Sequence, residues 1–170
     1  MRERRDAVVQ ALDPVARTDA EQALASHAAG LLDTARVVAS YSAVGDEISP
    51  HRIVAPRLVY PRVVGLGCAL TFHVAVPAGM RTGWAGILEP LPDAPQLTPD
   101  ALLIPLLAVD RHGVRLGQGA GYYDRTLAAL PGALKIGVAW DVQVVEALRA
   151  DPWDVPLDWI ITPTRAIRCG

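Results

Sequence analysis

The segment from residue 101 to residue 130 constrains the fold of this chain more than any other. It opens with Ala101 to Val109, an apolar run interrupted only by Pro105, which is typical of a buried strand. Glycine then occupies every second position from Gly117 to Gly121, and a helical pattern follows over Tyr122 to Leu130. A buried strand that leads through a tight loop into a helix is the repeating unit of a parallel α/β sheet.

Strand-like and helix-like runs also alternate over the rest of the 170 residues. The predicted strands comprise residues 36–41, 58–64, 70–76, 134–140 and 159–162. The predicted helices comprise one around Val8 to Leu12, one from a cap at Thr18 or Asp19 through Leu32, and candidates at 49–57, 122–130 and 142–149. We therefore predict an α/β fold with an open, largely parallel sheet, helices on both faces, and one domain over residues 1–170.

The charge composition argues against nucleic acid as a partner. The chain has 16 lysines and arginines against 18 aspartates and glutamates, so its formal net charge is −2. Lys135 is the only lysine, and no glycine loop precedes it. This excludes the type of phosphate loop in which a lysine after glycine reaches the terminal phosphates.

The sequence favours a cytoplasmic protein that does not enter a membrane. No apolar run approaches the roughly 20 residues that span a bilayer, and no apolar export segment follows the charged start, Met1 to Asp6. Cys68 and Cys169 lie far apart, without further cysteine or histidine at metal-ligand spacing, so neither a disulfide framework nor a zinc site is supported. We expect a monomer that acts on small molecules.

The glycine loop has the physical properties of a phosphate site. Alternate glycines let backbone N–H groups approach an anion closely, and a helix start adds partial positive charge. Arg115 before the loop supplies a full positive charge, and Asp124 directly after it is placed to hold a magnesium ion that bridges phosphate oxygens. Taken alone, the loop fits a simple tight turn equally well. Its combination with Arg115 and with Tyr122 to Arg125 favours the phosphate site.

The segment Arg115 to Arg125, preceded by Asp110 to Gly113, resembles the signature of the 5-formyltetrahydrofolate cyclo-ligase family, whose members are also called 5,10-methenyltetrahydrofolate synthetases. Further segments resemble family segments in the same order: Tyr41 to Ile48, Tyr60 to Arg62, Gly86 to Pro90, and Asp154 to Asp158. The resemblance thus covers nearly the whole chain, and the glycine signature is its most specific part.

The resemblance implies an enzyme that converts 5-formyltetrahydrofolate to 5,10-methenyltetrahydrofolate, depends on ATP and magnesium, and releases ADP and phosphate. It also implies an open α/β fold of the type shared with sugar-phosphate isomerases and CoA transferases. In the family, ATP is thought to phosphorylate the formyl oxygen, after which nitrogen 10 of the folate attacks the activated carbon. Such a reaction needs no covalent enzyme nucleophile.

The resemblance also implies functional residues in this sequence. The implied ATP-binding residues are Arg2, Arg115, Leu116, Gly117, Gln118, Gly119, Ala120, Gly121, Tyr122 and Tyr123. The implied folate-binding residues are Ser42, Glu47, Gln118, Gly119, Ala120, Gly121 and Tyr122. The implied metal ligands are Asp124 and Asp154, and the implied catalytic residues are Arg115, Tyr122 and Tyr123. Glu47 would bind the pterin, because a carboxylate accepts paired hydrogen bonds from neighbouring ring N–H and amino groups.

The sequence departs from the family pattern at three places. The family has an N-terminal lysine followed by an arginine; here Arg2 matches the arginine and no residue matches the lysine, unless Arg4 or Arg5 substitutes from a shifted helix. The crossover at 49–57 is shorter than usual in the family. Trp140 replaces a phenylalanine-like residue and could alter the shape of the pocket; it or Trp84 could also stack on the folate.

These departures leave two alternatives to an active cyclo-ligase. The first is a catalytically impaired homologue that binds folate or nucleotide without turnover because it lacks the N-terminal lysine. The second is an unrelated binder of sugar phosphates or CoA esters on the same kind of sheet, since a fold does not fix a function. Glu47 separates the second alternative from the others, because only a pterin ligand would need it.

Overall fold

The computed structural model describes residues 1–75, 79–83 and 86–170. Its helices in these ranges are α1 (Arg2–Gln10), α2 (Pro14–Leu32) and α3 (Tyr122–Ala129). Its strands are β1 (Val38–Ala39), β2 (Leu58–Arg62), β3 (Thr71–Val74), β4 (Met80–Thr82), β5 (Leu88–Pro90), β6 (Ala101–Pro105), β7 (Ala108–Asp110), β8 (Arg115–Leu116), β9 (Leu134–Val138), β10 (Val144–Val145), β11 (Trp159–Ile161) and β12 (Ala166–Arg168).

A seven-stranded sheet forms the centre of the molecule, in the order β12-β11-β9-β6-β1-β2-β3. The five inner strands run parallel to one another, and β3 and β12 close the two edges as antiparallel strands. β6 pairs with β1 on one side and along its whole length with β9 on the other. The predicted open, largely parallel sheet is confirmed.

Helices cover both faces of this sheet, as predicted. Leu103 of β6 belongs to the apolar cluster that includes Leu24 and Ala28 of α2. Its neighbours Leu102 and Ile104 belong to the second cluster, which includes Leu127 of α3. Because successive side chains of a strand point to opposite faces, the apolar run of β6 is buried by one helix on each side.

The predicted strand over 101–109 is in fact two strands, β6 and β7, which belong to different sheets. β7 pairs with β8 and β10 in a small three-stranded sheet. The main-sheet ladder stops at Pro105, and the Gln143 amide donates to the carbonyls of Leu106 (2.7 Å) and Leu107 (3.2 Å) just after it. The side chain of Gln143 thereby satisfies buried backbone groups at the break, where no ladder partner is available.

Three helix predictions differ from the structure. Residues 49–57 form turns, because Pro56 disfavours a helical conformation before it and removes a backbone donor. Residues 142–149 contain the end of a short 3-10 helix (Asp141–Gln143) and then β10, consistent with their β-branched valines. α2 begins at Pro14 and not at Thr18 or Asp19, since Asp13 caps it by accepting from the Ala16 N–H at 2.8 Å.

The turn before β8 depends on Gly113, which has φ +81° and whose carbonyl accepts a hydrogen bond from the Leu157 N–H at 3.0 Å. A Cβ at this position would lie 2.5 Å from the Leu157 backbone oxygen.

We expect Gly113→Ala to lower the free energy of unfolding by about 2–5 kcal/mol, from left-handed strain plus overpacking. Urea denaturation measures this. Gly132→Ala is the matched control, because nothing lies within 4 Å of its Cβ; equal losses in both variants would contradict the prediction.

Candidate functional site

One cavity of about 720 Å³ lies beyond the carboxyl ends of β1, β2 and β6, where ligands bind in open α/β sheets. Four parts of the chain supply most of its wall: the residues after β1, the glycine loop, the start of α3, and a segment that follows β10. Its lining residues are Tyr41, Ser42, Val44, Glu47, Pro61, Val63, Leu70, Ile87, Glu89, Pro105, Arg115, Leu116, Gly117, Gln118, Gly119, Ala120, Gly121, Tyr122, Tyr123, Asp124, Arg149, Asp151, Trp153 and Asp154.

The glycine loop presents its backbone to this cavity. The N–H groups of residues 117–121 donate no hydrogen bond to any other residue that the structure describes. Nothing lies within 4 Å of a Cβ built on Gly117, whereas one on Gly121 would meet Arg125 at 2.9 Å. The loop leads directly into the N-terminus of α3. Its unpaired donors and the helix start give it the chemistry of an anion site.

Arg115 is the buried cation of the site. Its side chain is 5% exposed; Nη2 forms an ion pair with Asp124 Oδ1, and Nη1 donates to the Val155 carbonyl at 2.5 Å. Burial lowers the pKa of the guanidinium, while Asp124 and Asp154 raise it. Arg115 therefore joins β8 to α3 and to the segment after β10, with both predicted metal ligands near its charge.

Asp124 and Asp154, the two predicted metal ligands, offer few donor atoms by themselves. Asp124 is engaged by Arg115, and Asp154 Oδ2 accepts from the Asp151 N–H at 2.9 Å. The described residues contain no group of three or more His, Cys, Asp or Glu side chains arranged to hold a metal ion. Magnesium usually binds through one or two carboxylates plus substrate phosphates and water, so this donor set fits an ion that arrives with a phosphate ligand.

Glu47 provides a buried carboxylate in the same cavity. It is 8% exposed, and it accepts hydrogen bonds from the Val44 N–H (3.0 Å) and the Gln118 side-chain amide (3.3 Å). Burial raises its pKa, and these hydrogen bonds together with the Arg5 charge offset the rise only in part. Gln118 also accepts a hydrogen bond from Arg2 of α1, so one loop side chain connects Arg2 to Glu47.

The remaining predicted residues border the same space. Ser42 donates to the Leu88 carbonyl at 3.2 Å. Tyr122 packs beneath the Arg125 guanidinium, 5.7 Å from its ring centre. Burial raises the pKa of Tyr123, Glu47 adds to the increase, and Arg115 opposes it. Tyr123 is therefore a neutral phenol at physiological pH and can donate a hydrogen bond to a ligand oxygen.

The structure also places the other residues that the sequence singled out. Arg2 is not among the lining residues, and its guanidinium donates to the Gln118 side chain that lines the cavity. Arg5 is 4% exposed, pairs with Asp6, and lies close enough to Glu47 for its charge to oppose the increase that burial causes in the pKa of that carboxyl. Trp140 does not shape the cavity: it is buried and its indole donates to the Asp46 carbonyl at 2.9 Å. Trp84 lies outside the described residues.

Sequence reasoning missed several lining residues, foremost Glu89, Arg149 and Trp153. Glu89 belongs to a segment that the family resemblance singled out, and that signal could have found it. Arg149 and Trp153 are close in sequence to Asp154, but only the tertiary fold brings them to the glycine loop.

None of the described helices has the length and apolar character that would be needed to cross a bilayer.

Known proteins match this chain along most of its length. The model of the 5-formyltetrahydrofolate cyclo-ligase family matches residues 1–163. The 5-formyltetrahydrofolate cyclo-ligase of Mycolicibacterium smegmatis is 34% identical over 161 residues, which cover 86% of this chain and 83% of that protein. The Haemophilus influenzae enzyme of the same name is 33% identical over 154 residues, covering 81% and 82%.

A solved structure agrees with these sequence matches. The NMR structure of 5,10-methenyltetrahydrofolate synthetase from Aquifex aeolicus matches with a TM-score of 0.77 and 30% sequence identity, over 98% of this chain and 91% of that one. The sequence motifs, the sheet and the relatives therefore agree, and the chain belongs to the 5-formyltetrahydrofolate cyclo-ligase family of ligases.

Proposed function

We propose that this enzyme uses ATP and magnesium to convert 5-formyltetrahydrofolate to 5,10-methenyltetrahydrofolate, with release of ADP and phosphate. The observation that carries the proposal is that one cavity contains both an anion-binding glycine loop and a buried carboxylate, Glu47. A reaction between a triphosphate and a pterin needs these two kinds of site next to each other.

The loop and Arg115 form the proposed phosphate side. The N–H groups of residues 117–121 bind phosphate oxygens, and the Arg115 guanidinium adds a charged donor when phosphate replaces Asp124 as its partner. Asp124 and Asp154 would hold magnesium together with those oxygens, and the ion would neutralise charge that develops on the phosphates during transfer. Leu116 and Arg2 complete this side, Arg2 by its contact with Gln118.

Glu47 and Ser42 form the proposed folate side. The ionised carboxylate of Glu47 accepts two hydrogen bonds from the ring N–H and amino group of the pterin. When folate binds, the hydrogen bond from the Gln118 amide to Glu47 Oε1 must therefore break, or that oxygen must accept a second hydrogen bond from the pterin. Gln118 to Tyr122 line the space between the two sides, where the formyl group would meet the terminal phosphate.

The proposed chemistry relies on positioning. A formamide carbonyl is a poor electrophile, and its oxygen is a poor leaving group. Transfer of the terminal phosphoryl group of ATP to that oxygen activates the carbon and releases ADP. Nitrogen 10 then attacks, and loss of phosphate and of the proton on nitrogen 10 leaves the methenyl bridge. Arg115 and the hydroxyl groups of Tyr122 and Tyr123 donate to oxygens that carry negative charge during these steps.

We further propose a cytoplasmic monomer, with one domain over residues 1–170, that acts on reduced folate and ATP and on neither nucleic acid nor membranes. Two apolar clusters on the two faces of one sheet support a single domain. A net charge of −2 supports the exclusion of nucleic acid.

Purified protein with 5-formyltetrahydrofolate, ATP and magnesium is expected to develop the near-ultraviolet absorbance of the methenyl product. Asp124→Asn should reduce the rate by at least about tenfold, because it removes a metal ligand and a partner of Arg115. A thermal melt checks that this variant is folded. Thermal stabilisation of the wild type by folate or ATP without product would instead identify the impaired homologue. No stabilisation by either ligand would contradict both readings.

The Michaelis constant for 5-formyltetrahydrofolate should rise as pH falls, because binding requires ionised Glu47. Burial raises the pKa of Glu47 above the ordinary glutamate value of about 4.3. The increase in the Michaelis constant should therefore begin at a higher pH than it would with an ordinary glutamate. Glu47→Gln should weaken folate binding roughly a hundredfold, as two charge-assisted hydrogen bonds of about 1.5 kcal/mol each imply. It should also abolish the pH dependence of folate binding. Exposed Glu146→Gln is the control; an unchanged pH profile in Glu47→Gln rejects the assignment.

Gly117→Ala should raise the Michaelis constant for ATP by about tenfold or more without destabilising the protein. Its Cβ meets no protein atom within 4 Å, so the methyl group would occupy space that a phosphate needs. Steady-state kinetics and a thermal melt measure the two effects. Gly132→Ala, equally open but outside the cavity, should change neither. Unaltered ATP kinetics in Gly117→Ala would remove the loop from the phosphate site.

A further inference from the structure

The segment Arg149 to Asp154 is a loop whose two ends are held by Asp110, at the end of β7, and by Arg115 of β8. At its start, the Leu148 N–H donates to Asp110 Oδ2 at 2.9 Å. At its end, the Val155 carbonyl accepts from Arg115 at 2.5 Å. Asp110 itself is held in the preceding turn, where its Oδ1 accepts from the N–H groups of His112 and Val114. The loop is therefore positioned by the same residues that position the phosphate side.

This loop places an arginine and an indole at the mouth of the cavity. Arg149 and Trp153 both line it, and Trp153 is 69% exposed. Among the described residues, Trp153 is the only aromatic side chain in the exposed class. An indole leaves a large apolar surface in water, and such surfaces at a cavity rim are typical of ligand contacts.

The position of the loop indicates which ligand the indole meets. Val155, directly after the loop, accepts a hydrogen bond from Arg115, which pairs with Asp124 at the phosphate side. The hydrogen bonds that Glu47 accepts, at the folate side, come from the Val44 N–H and the Gln118 amide, and neither residue belongs to this loop. A nucleotide whose phosphates rest on the glycine loop and Arg115 would extend its nucleoside toward the mouth that Trp153 borders.

We propose that Trp153 stacks on the purine base of the nucleotide and that Arg149 contacts the phosphates nearest the ribose. This inference rests on the proposed use of ATP and adds the part of the chain that distinguishes a nucleoside triphosphate from bare triphosphate. Stacking on an aromatic ring is favourable for every base and is strongest for the large purines. Arg149 supplies a second arginine for a ligand with several negative charges.

Calorimetry with a non-hydrolysable ATP analogue and with inorganic tripolyphosphate, both with magnesium, tests this without requiring turnover. The wild type should bind the analogue at least about tenfold more tightly than tripolyphosphate. Trp153→Ala should lose most of that difference while tripolyphosphate binding stays constant, and Trp153→Phe should restore most of it. Leu66→Ala, which removes another exposed apolar side chain outside the cavity, should behave as wild type.

Arg149→Gln should weaken the analogue and tripolyphosphate alike, because it removes a phosphate contact, and exposed Arg57→Gln should weaken neither. If the wild type binds tripolyphosphate but gains nothing from the nucleoside, the stacking proposal alone is wrong. If Trp153→Ala instead weakens only 5-formyltetrahydrofolate, the indole contacts the folate and the proposal is also wrong. If the wild type binds neither phosphate ligand, the proposed function fails as well.

Discussion

The ion pair between the buried Arg115 guanidinium and the partly exposed Asp124 carboxylate is the interaction on which the site depends. A guanidinium with 5% exposure needs partners, because an unpaired buried charge is strongly destabilising. Its partners belong to α3 and to the segment that ends at Val155, so satisfying one charge fixes two elements against β8. Asp110 adds a second tie between the turn and Leu148. The need to neutralise the Arg115 charge thus fixes the position of the elements around the proposed phosphate side.

The same pair explains why a phosphate and a metal ion should bind together in the proposed reaction. A triphosphate alone would compete with Asp124 for Arg115, and a cation alone would compete with Arg115 for Asp124. When both arrive, Arg115 would exchange a carboxylate for a phosphate, and Asp124 would become free to help hold the metal ion. Both charges would keep a partner, which avoids the cost of leaving the buried guanidinium unpaired.

Local patterns predicted the parts of the structure that are determined locally. The apolar run at 101–109, the alternating glycines and α3 lie next to one another in sequence, so the sheet and the loop could be inferred. The split at Pro105 could not, because Gln143 stabilises it from a distant segment. Trp153 was missed for the same reason: its place in the cavity wall follows from hydrogen bonds of Leu148 and Val155 to Asp110 and Arg115. Family resemblance supplied Glu47, which no local pattern marks as a ligand.

Gln118 unites the two sides of the site. Its side chain accepts from Arg2 and donates to Glu47, while its backbone belongs to the glycine loop. A loop that only cradled phosphate would have no need for an amide on Glu47. Because this one borders both sides, the phosphoryl donor and the formyl oxygen of the proposed reaction would meet without an intermediate carrier on the protein. That arrangement suits a direct transfer, in which positioned donors and not a covalent nucleophile lower the barrier.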